Sequence, residues 1–260
     1  MIVLDTLLAA AGSAAALVAY LACVALATTA QTLTGFAFGL IFLSLMAALD
    51  LASVADAANV ATVLTLVNAL TYLRAHRQAP PWRLMKPALA SSSVGVVAGL
   101  ALLNWFSTTA AQALKGLLGL AIVACALALV ARGRVRADVA PPRSFALAGA
   151  VSGLMGGLFG TSGPPIVYHL YRQPLAPEVV RRCLLLMFAF NALMRLALVL
   201  PTGGFSLRAL LLTSMAVPVV HLFTRLALRL QPHVPAQALR WGVAGLLVLA
   251  GSSLMAGAWR

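Results

Sequence analysis

The sequence predicts an all-α integral membrane protein, with about seven to nine membrane segments in two inverted repeats that contain broken or re-entrant helices. Three observations predict it. Of the 260 residues, 62% are hydrophobic and only 9% are charged, against about 25% charged in an ordinary soluble domain. So few charges cannot cover a soluble enzyme of this size, and so much apolar residue excludes a disordered chain. Apolar runs fill the chain at about the twenty-residue length a helix needs to cross hydrocarbon. The two halves also share features at a constant offset of 125 residues.

The candidate segments are 8–30, 33–49, 57–73, 87–105, 109–131, 144–171, 182–200, 207–228 and 236–258. Met1–Leu8 carries Asp5 and no Lys or Arg, so the basic start of a cleavable signal peptide is missing and the first segment is expected to stay in the protein. Cys23, Cys125 and Cys183 all lie in apolar runs without a CxxC pair, which argues against a disulfide framework or a zinc site. No Walker loop, nucleotide fingerprint or HExxH is present, so neither a cofactor nor ATP-driven pumping is expected. The longest polar stretches are 74–86 and 132–143. The second separates a first repeat, 1–131, from a second, 144–260, as a cytoplasmic basic linker closed by Pro141-Pro142.

At the offset of 125, Gly35 falls on Gly160, Ile41 on Ile166, Arg83 on Arg208, and Leu114-Lys115 on Leu239-Arg240. Such self-similarity marks an internal repeat. The 18 Lys and Arg against 5 Asp and Glu, a net +13, then orient it. With eight simple spans the basic residues scatter over both sides. With 144–173 folded back as a hairpin, fourteen fall on one side, three on the other, and Arg195 stays within a span. The positive-inside rule selects the second arrangement, in which equivalent loops face opposite sides. The charge is thus a topology signal rather than a nucleic-acid footprint.

The hairpin has its breaker in GLMGGLFGTSGPPIV, residues 153–167. Glycines allow turns, and Pro164-Pro165 remove two backbone donors. The equivalent QTLTGFAFGLI, 31–41, has two glycines and no proline, so a gentler break is expected there. Irregular backbone at membrane depth is tolerated where it lines a cavity, and helix N-termini beside it offer N–H groups and partial positive charge to an anion. Thr161, Ser162, Gln31, Thr32 and Thr34 add side-chain donors. Gly153, Gly156 and Gly157 read as close-packing glycines, whereas Gly160 to Pro165 read as substrate-lining.

QTLTGFAFG and GLMGGLFGTSGPPIVYHLY together resemble the two glycine-centred motifs of the TauE/SafE family of membrane transporters, the second in its Gly-Pro-Pro variant. At the first motif Phe36-Ala37-Phe38 replaces some of the glycines often seen there. The resemblance covers about residues 15–257. It implies a permease of the cell inner membrane for sulfite, sulfoacetate or a related organosulfur anion, with the two motifs meeting at the centre.

Ionisable residues at membrane depth are functional suspects. Arg195 follows Asn191 by one helical turn, so the two share a face. Arg195 either offers charge to an anion or snorkels to an interface about 8 Å away, at 1.5 Å per residue, with the balance tipped slightly to snorkelling. His221 reads as a hydrogen-bonding group or a proton carrier, and Arg225 as a snorkelling residue. His169 and Tyr168 are expected in the cavity or at its rim. Asn59, Thr62 and Asn68 form a polar line. No carboxylate is clearly mid-membrane, so coupling to a proton would fall to histidine or to the substrate.

The expected anion site comprises Gln31, Thr34, Gly35, Phe36 and Gly39 of the first break, and Gly160, Thr161, Ser162, Gly163, Pro164 and Pro165 of the second. Asn59, Asn191 and Arg195 of the neighbouring spans complete it. Alternating access by rocking of the halves is the expected mechanism. Neither catalytic residues nor metal ligands are expected. An anion channel and a non-transporting assembly subunit remain alternatives, and homo-oligomerisation is compatible with the chain.

Overall fold

The computed structural model describes residues 13–75, 81–109 and 136–231, with scattered positions between 116 and 127 and between 241 and 252. The expected segments 109–131 and 236–258, the start of the first segment, and residues 132–135 of the linker lie largely or wholly outside them. The first half contains α1 (Ala14–Thr34), α2 (Phe38–Ala48), α3 (Val54–Ala75) and α4 (Trp82–Thr109). The second contains α5 (Pro142–Phe159), α6 (Gly163–Tyr171), α7 (Pro177–Val199) and α8 (Leu207–Leu230). Among the described residues, five helices are long and apolar enough to cross a membrane: α1, α3, α4 through Trp105, α7 and α8. The protein is a multi-pass membrane protein, and Leu147, Val94, Leu210 and Leu222 stand exposed on its outside as lipid-facing residues do.

Local chemistry sets the helix starts. The Ser13 hydroxyl accepts from the Ala16 N–H at 3.1 Å and the Ser206 hydroxyl from the Ala209 N–H at 3.0 Å. Each satisfies one of the donors left over at a helix N-terminus. α5 and α7 open instead with a proline in the first turn, where its missing N–H costs nothing. α7 starts at Pro177 rather than near residue 182, because Arg181 and Arg182 continue the helix beyond its apolar run.

The offset of 125 extends to the helices themselves. α1 ends at Thr34 and α5 at Phe159; α2 begins at Phe38 and α6 at Gly163; α4 begins at Trp82 and α8 at Leu207. In both halves the first two helices form a re-entrant hairpin. Ser152 on α5 accepts from the Ile166 N–H on α6 at 3.0 Å, although a straight helix would hold them about 21 Å apart. The rings of Tyr20 on α1 and Phe42 on α2 lie 6.0 Å apart, twenty-two residues away in sequence.

The first break is not gentler than the second, contrary to expectation. Gly35 (φ 84°) and Ala37 (φ 81°) both take the left-handed conformation, as Gly160 (φ 66°) does in the second. An alanine there costs about 1 kcal/mol, which the surrounding packing must offset. Alanine has no compositional signature as a breaker, so the sequence hid the turn.

The hairpins enter from opposite sides. The first tip reaches the base of the second hairpin: Tyr171, at the end of α6, donates its hydroxyl to the Thr34 carbonyl at 2.8 Å, and Arg181 lies across Gly35. The second tip reaches the base of the first, where Gly160 packs on Ala58 and Thr62 of early α3. Around the first hairpin's base, Ser206 donates to Asp56 at 2.6 Å and Arg208 to the Leu51 carbonyl at 2.8 Å. The ends of α3, α6 and α8 and the starts of α4, α5 and α7 make the opposite, basic side, with Arg74, Arg83, Arg143, Arg172, Arg181, Arg182, Arg225 and Arg229 at these ends and Arg136 bonded to the Arg172 carbonyl.

Packing crosses the repeats. α5 runs parallel to α4 with backbone against backbone: Gly149 faces Ala88, Gly153 faces Ser92, and Gly157 faces Val96. Gly95 and Gly99 of α4 answer with Ala150 and Leu154. Three glycines spaced by four make one smooth helix face, which lets dispersion act between backbones where lipid removes the hydrophobic drive. The symmetry-related pair, α1 with α8, carries polar groups instead. Asn68 of α3 donates to Thr32 at 2.9 Å and to Thr224 at 2.8 Å.

Candidate functional site

The two hairpin tips meet in one buried cavity. Gln31, Ala37, Phe38 and Gly39 line it from the first hairpin, and Gly156, Gly160, Thr161 and Ser162 from the second. Thr65 of α3 and Phe188, Asn191, Ala192 and Arg195 of α7 complete the wall. Thr161 seats directly on Gly39: a side chain at 39 would come within 2.8 Å of the Thr161 hydroxyl. The cavity is tight, with room for about one water molecule.

Two helix N-termini point at this space. Neither Ala37, ahead of α2, nor Ser162, ahead of α6, caps its helix with a side chain. The first-turn N–H groups of Phe38, Gly39 and Leu40 have no partner within their own helix. Each terminus carries a partial positive charge of about half a unit. On α6 the two prolines contribute no donors and the Ile166 N–H is taken by Ser152. Hydroxyl groups stand in there: Ser162 accepts from Asn191 Nδ2 at 2.6 Å, which leaves its own proton to donate elsewhere.

Arg195 supplies a full charge. It is 2% exposed, so it does not snorkel. Its Nη1 donates to Asn59 Oδ1 at 2.8 Å and Thr62 Oγ1 at 3.1 Å, and its Nε to the Gly157 carbonyl at 3.3 Å. Asn59 is held in turn by the Gly204 carbonyl at 2.8 Å, and Thr62 by the Ala58 carbonyl at 2.7 Å. These three acceptors hold the guanidinium inside the bundle instead. No carboxylate pairs with Arg195 among the described residues, and its Nη2 has no hydrogen-bond partner there. Both amide atoms of Gln31, the Thr65 hydroxyl and Asn191 Oδ1 are likewise buried without a partner. Buried polar groups are normally satisfied, and these four atoms leave the cavity wall with donors and acceptors open to a polar guest.

Of the expected site residues, Gln31, Gly39, Gly160, Thr161, Ser162, Asn191 and Arg195 meet at the cavity. Asn59 acts one step away, as an anchor for Arg195. Thr34 is spent on the first turn, donating to the Ala30 carbonyl at 2.6 Å. Gly35 packs on Arg181, and Phe36 on Tyr171 with ring centres 6.3 Å apart. Gly163, Pro164 and Pro165 form the first turn of α6. Gly156 faces Ser162 and Asn191 rather than α4, unlike Gly153 and Gly157. The close-packing reading therefore fails for Gly156, and the signal that separates it is the four-residue spacing of Gly149, Gly153 and Gly157, which leaves Gly156 on another face. Ala37, Phe38, Thr65, Phe188 and Ala192 also line the cavity and carry no signal of it in the sequence, since such residues are common in any span. His169 lies against Phe145, ring centres 4.4 Å apart, and Tyr168 against Arg172; neither reaches the cavity. His221 faces Thr71 on the outside of the bundle.

The profile of the family described as "Sulfite exporter TauE/SafE" matches residues 20–254. The chain is 32% identical over 225 residues to the "Probable sulfite/organosulfonate exporter TauE" of Cupriavidus necator, covering 86% of this chain and 88% of that protein. No solved structure matches it.

Proposed function

Since the chain belongs to the sulfite exporter TauE/SafE family, we propose that it carries a small sulfur oxoanion, sulfite or an organosulfonate, across the inner membrane by alternating access, with the tip cavity as its binding site. The observation that carries this reading is the convergence of two uncapped helix N-termini and an unpaired, buried Arg195 on one cavity. Together they amount to about two positive charges aimed at one point. The Phe38 to Leu40 N–H groups, the Thr161 and Ser162 hydroxyls, Gln31 and Arg195 Nη2 form the donor shell, and Asn59 and Thr62 hold the guanidinium in place. Such a site binds an anion without covalent chemistry.

The closed cavity has a seal on each side. Toward the basic side, which the positive-inside rule makes cytoplasmic, Tyr171 closes on the Thr34 carbonyl. Toward the other side, Asn59 closes on Gly204 and Asp56 on Ser206. Parting one set while the other holds gives one-sided access.

Flux of sulfite and sulfoacetate through proteoliposomes, with and without a pH gradient, tests the reading. Saturable, counter-transported flux is expected; no flux of any small oxoanion would overturn it, and flux without counter-transport would make the protein a channel. Cysteines placed at Arg208 and Arg229 are expected to label from opposite faces.

A further inference from the structure

A second cavity, of about 460 Å³, lies away from the tips, between the last turns of α3 and α8 on the basic side. Arg74, in the last turn of α3, and Arg225, near the end of α8, both line it. Neither guanidinium is hydrogen-bonded or ion-paired among the described residues, and no described acidic residue lines the groove. Deeper in, its walls are Val67 and Leu70, with Thr71 and His221 in contact at 3.3 Å, while Leu228 lines the mouth one turn nearer the helix end than Arg225. Leu70 is 39% exposed, and Leu222 and Leu226 stand exposed on α8 beside the groove. The groove therefore opens to lipid, with cations at the height of the headgroups and apolar surface at the height of the acyl chains.

We propose that this groove binds one anionic phospholipid of the adjoining leaflet. Its volume falls in the range of small-molecule sites, about 300–1,000 Å³. A phosphodiester would supply the counter-charge that Arg74 and Arg225 lack, and the lipid's acyl chain would cover Val67 and Leu70. Basic pockets between membrane helices bind anionic headgroups on just this footing. The same charge disfavours a second copy of the chain, since a two-fold contact through this face would set cationic grooves against each other without an intervening acid. The inference does not depend on the transport reading.

The test uses the full chain purified in a neutral detergent and titrated with phosphatidylglycerol or phosphatidylcholine. Retention is followed by native mass spectrometry, and stabilisation by the unfolding temperature. Phosphatidylglycerol is expected to be retained and to raise Tm, and phosphatidylcholine to do neither. R74Q/R225Q should weaken phosphatidylglycerol binding about thirtyfold, at about 1 kcal/mol for each cation, with the lipid-free Tm unchanged. R143Q, a basic residue of the same side outside the groove, should bind as the parent does. Should the double variant misfold, L70W fills the groove with all charges kept and should block binding equally. Equal retention of phosphatidylcholine, an R143Q loss as large as that of R74Q/R225Q, or unchanged binding in L70W would overturn the proposal. So would competition by glycerol phosphate at matched concentration, which would indicate a headgroup-only site. A change of oligomeric state in L70W without loss of lipid would assign the groove to a second copy instead.

Discussion

The two hairpin tips share a backbone and differ in what they hang on it. At the first, Gly35 and Ala37 turn the chain and the exposed donors are the backbone N–H groups of α2. At the second, Gly160 turns it, Pro164 and Pro165 remove donors, and Thr161 and Ser162 replace them with hydroxyls. The helices behind the tips diverge in the same sense. Asn191 and Arg195 of α7 occupy the positions where α3 carries Leu66 and Leu70. Duplication thus preserved what needs only glycine and helix direction, namely the breaks and the paired dipoles. The full charge was placed once. One cation suffices for one anion, and a second buried arginine would add desolvation cost without a partner.

The strongest way to erase this asymmetry is Arg195→Leu, which copies the first half's residue into the second. Anion flux should fall by about a hundredfold or more, as expected for truncating a desolvated charge. Arg195→Lys should retain about a tenth of the flux, because a point charge cannot bond Asn59, Thr62 and Gly157 at once. Both are read in proteoliposomes against matched protein insertion; parental flux in Arg195→Leu would remove the residue from the site.

The helix seams provide the next contrast. Gly157→Ala drives a methyl group into the Val96 carbonyl and should destabilise the protein by about 3 kcal/mol, measured as a loss of Tm. At the site itself, T161A/S162A should lower flux about thirtyfold, or about 2 kcal/mol, by removing two hydroxyl donors to an anion. Insertion should remain intact; unchanged flux would sink the assignment of this tip. Thr32→Val, at the position equivalent to Gly157, should cost only about 1 kcal/mol, because it removes a single hydrogen bond from Asn68 in a bundle. The smallest effect runs the other way. Ala37→Gly relaxes a left-handed alanine and should stabilise by about 0.5 kcal/mol, after glycine's greater freedom in the unfolded chain is subtracted.

Much of the site was legible because polar residues are conspicuous in apolar helices. Gln31, Thr161, Ser162, Asn191 and Arg195 could be picked out that way, and the Gly-Pro-Pro break announced the second hairpin. What escaped depends on three dimensions. Ala37 forms a turn that its side chain does nothing to advertise. Snorkelling weighs against a site role for Arg195 in the sequence because the distance to an interface can be counted along a helix, whereas Asn59 and Thr62, about 135 residues away, cannot be foreseen as its anchors. Thr34 and Gly35 sit in a motif that lines the cavity yet serve the turn rather than the guest.

The glycine seam has a consequence for motion. α4 belongs to the first repeat and α5 to the second, yet their backbones interlock too closely to slide, and α8 is tied across to α1 in the same exchanged fashion, with Tyr20 donating to the Leu212 carbonyl at 2.8 Å. Under the proposed alternating access, the pieces that pivot would therefore not be the two halves of the gene. Each is a chimera of both, one carrying the second hairpin on α4 and the other the first hairpin on α8. Neither half-chain synthesised alone would have its counterpart to clasp.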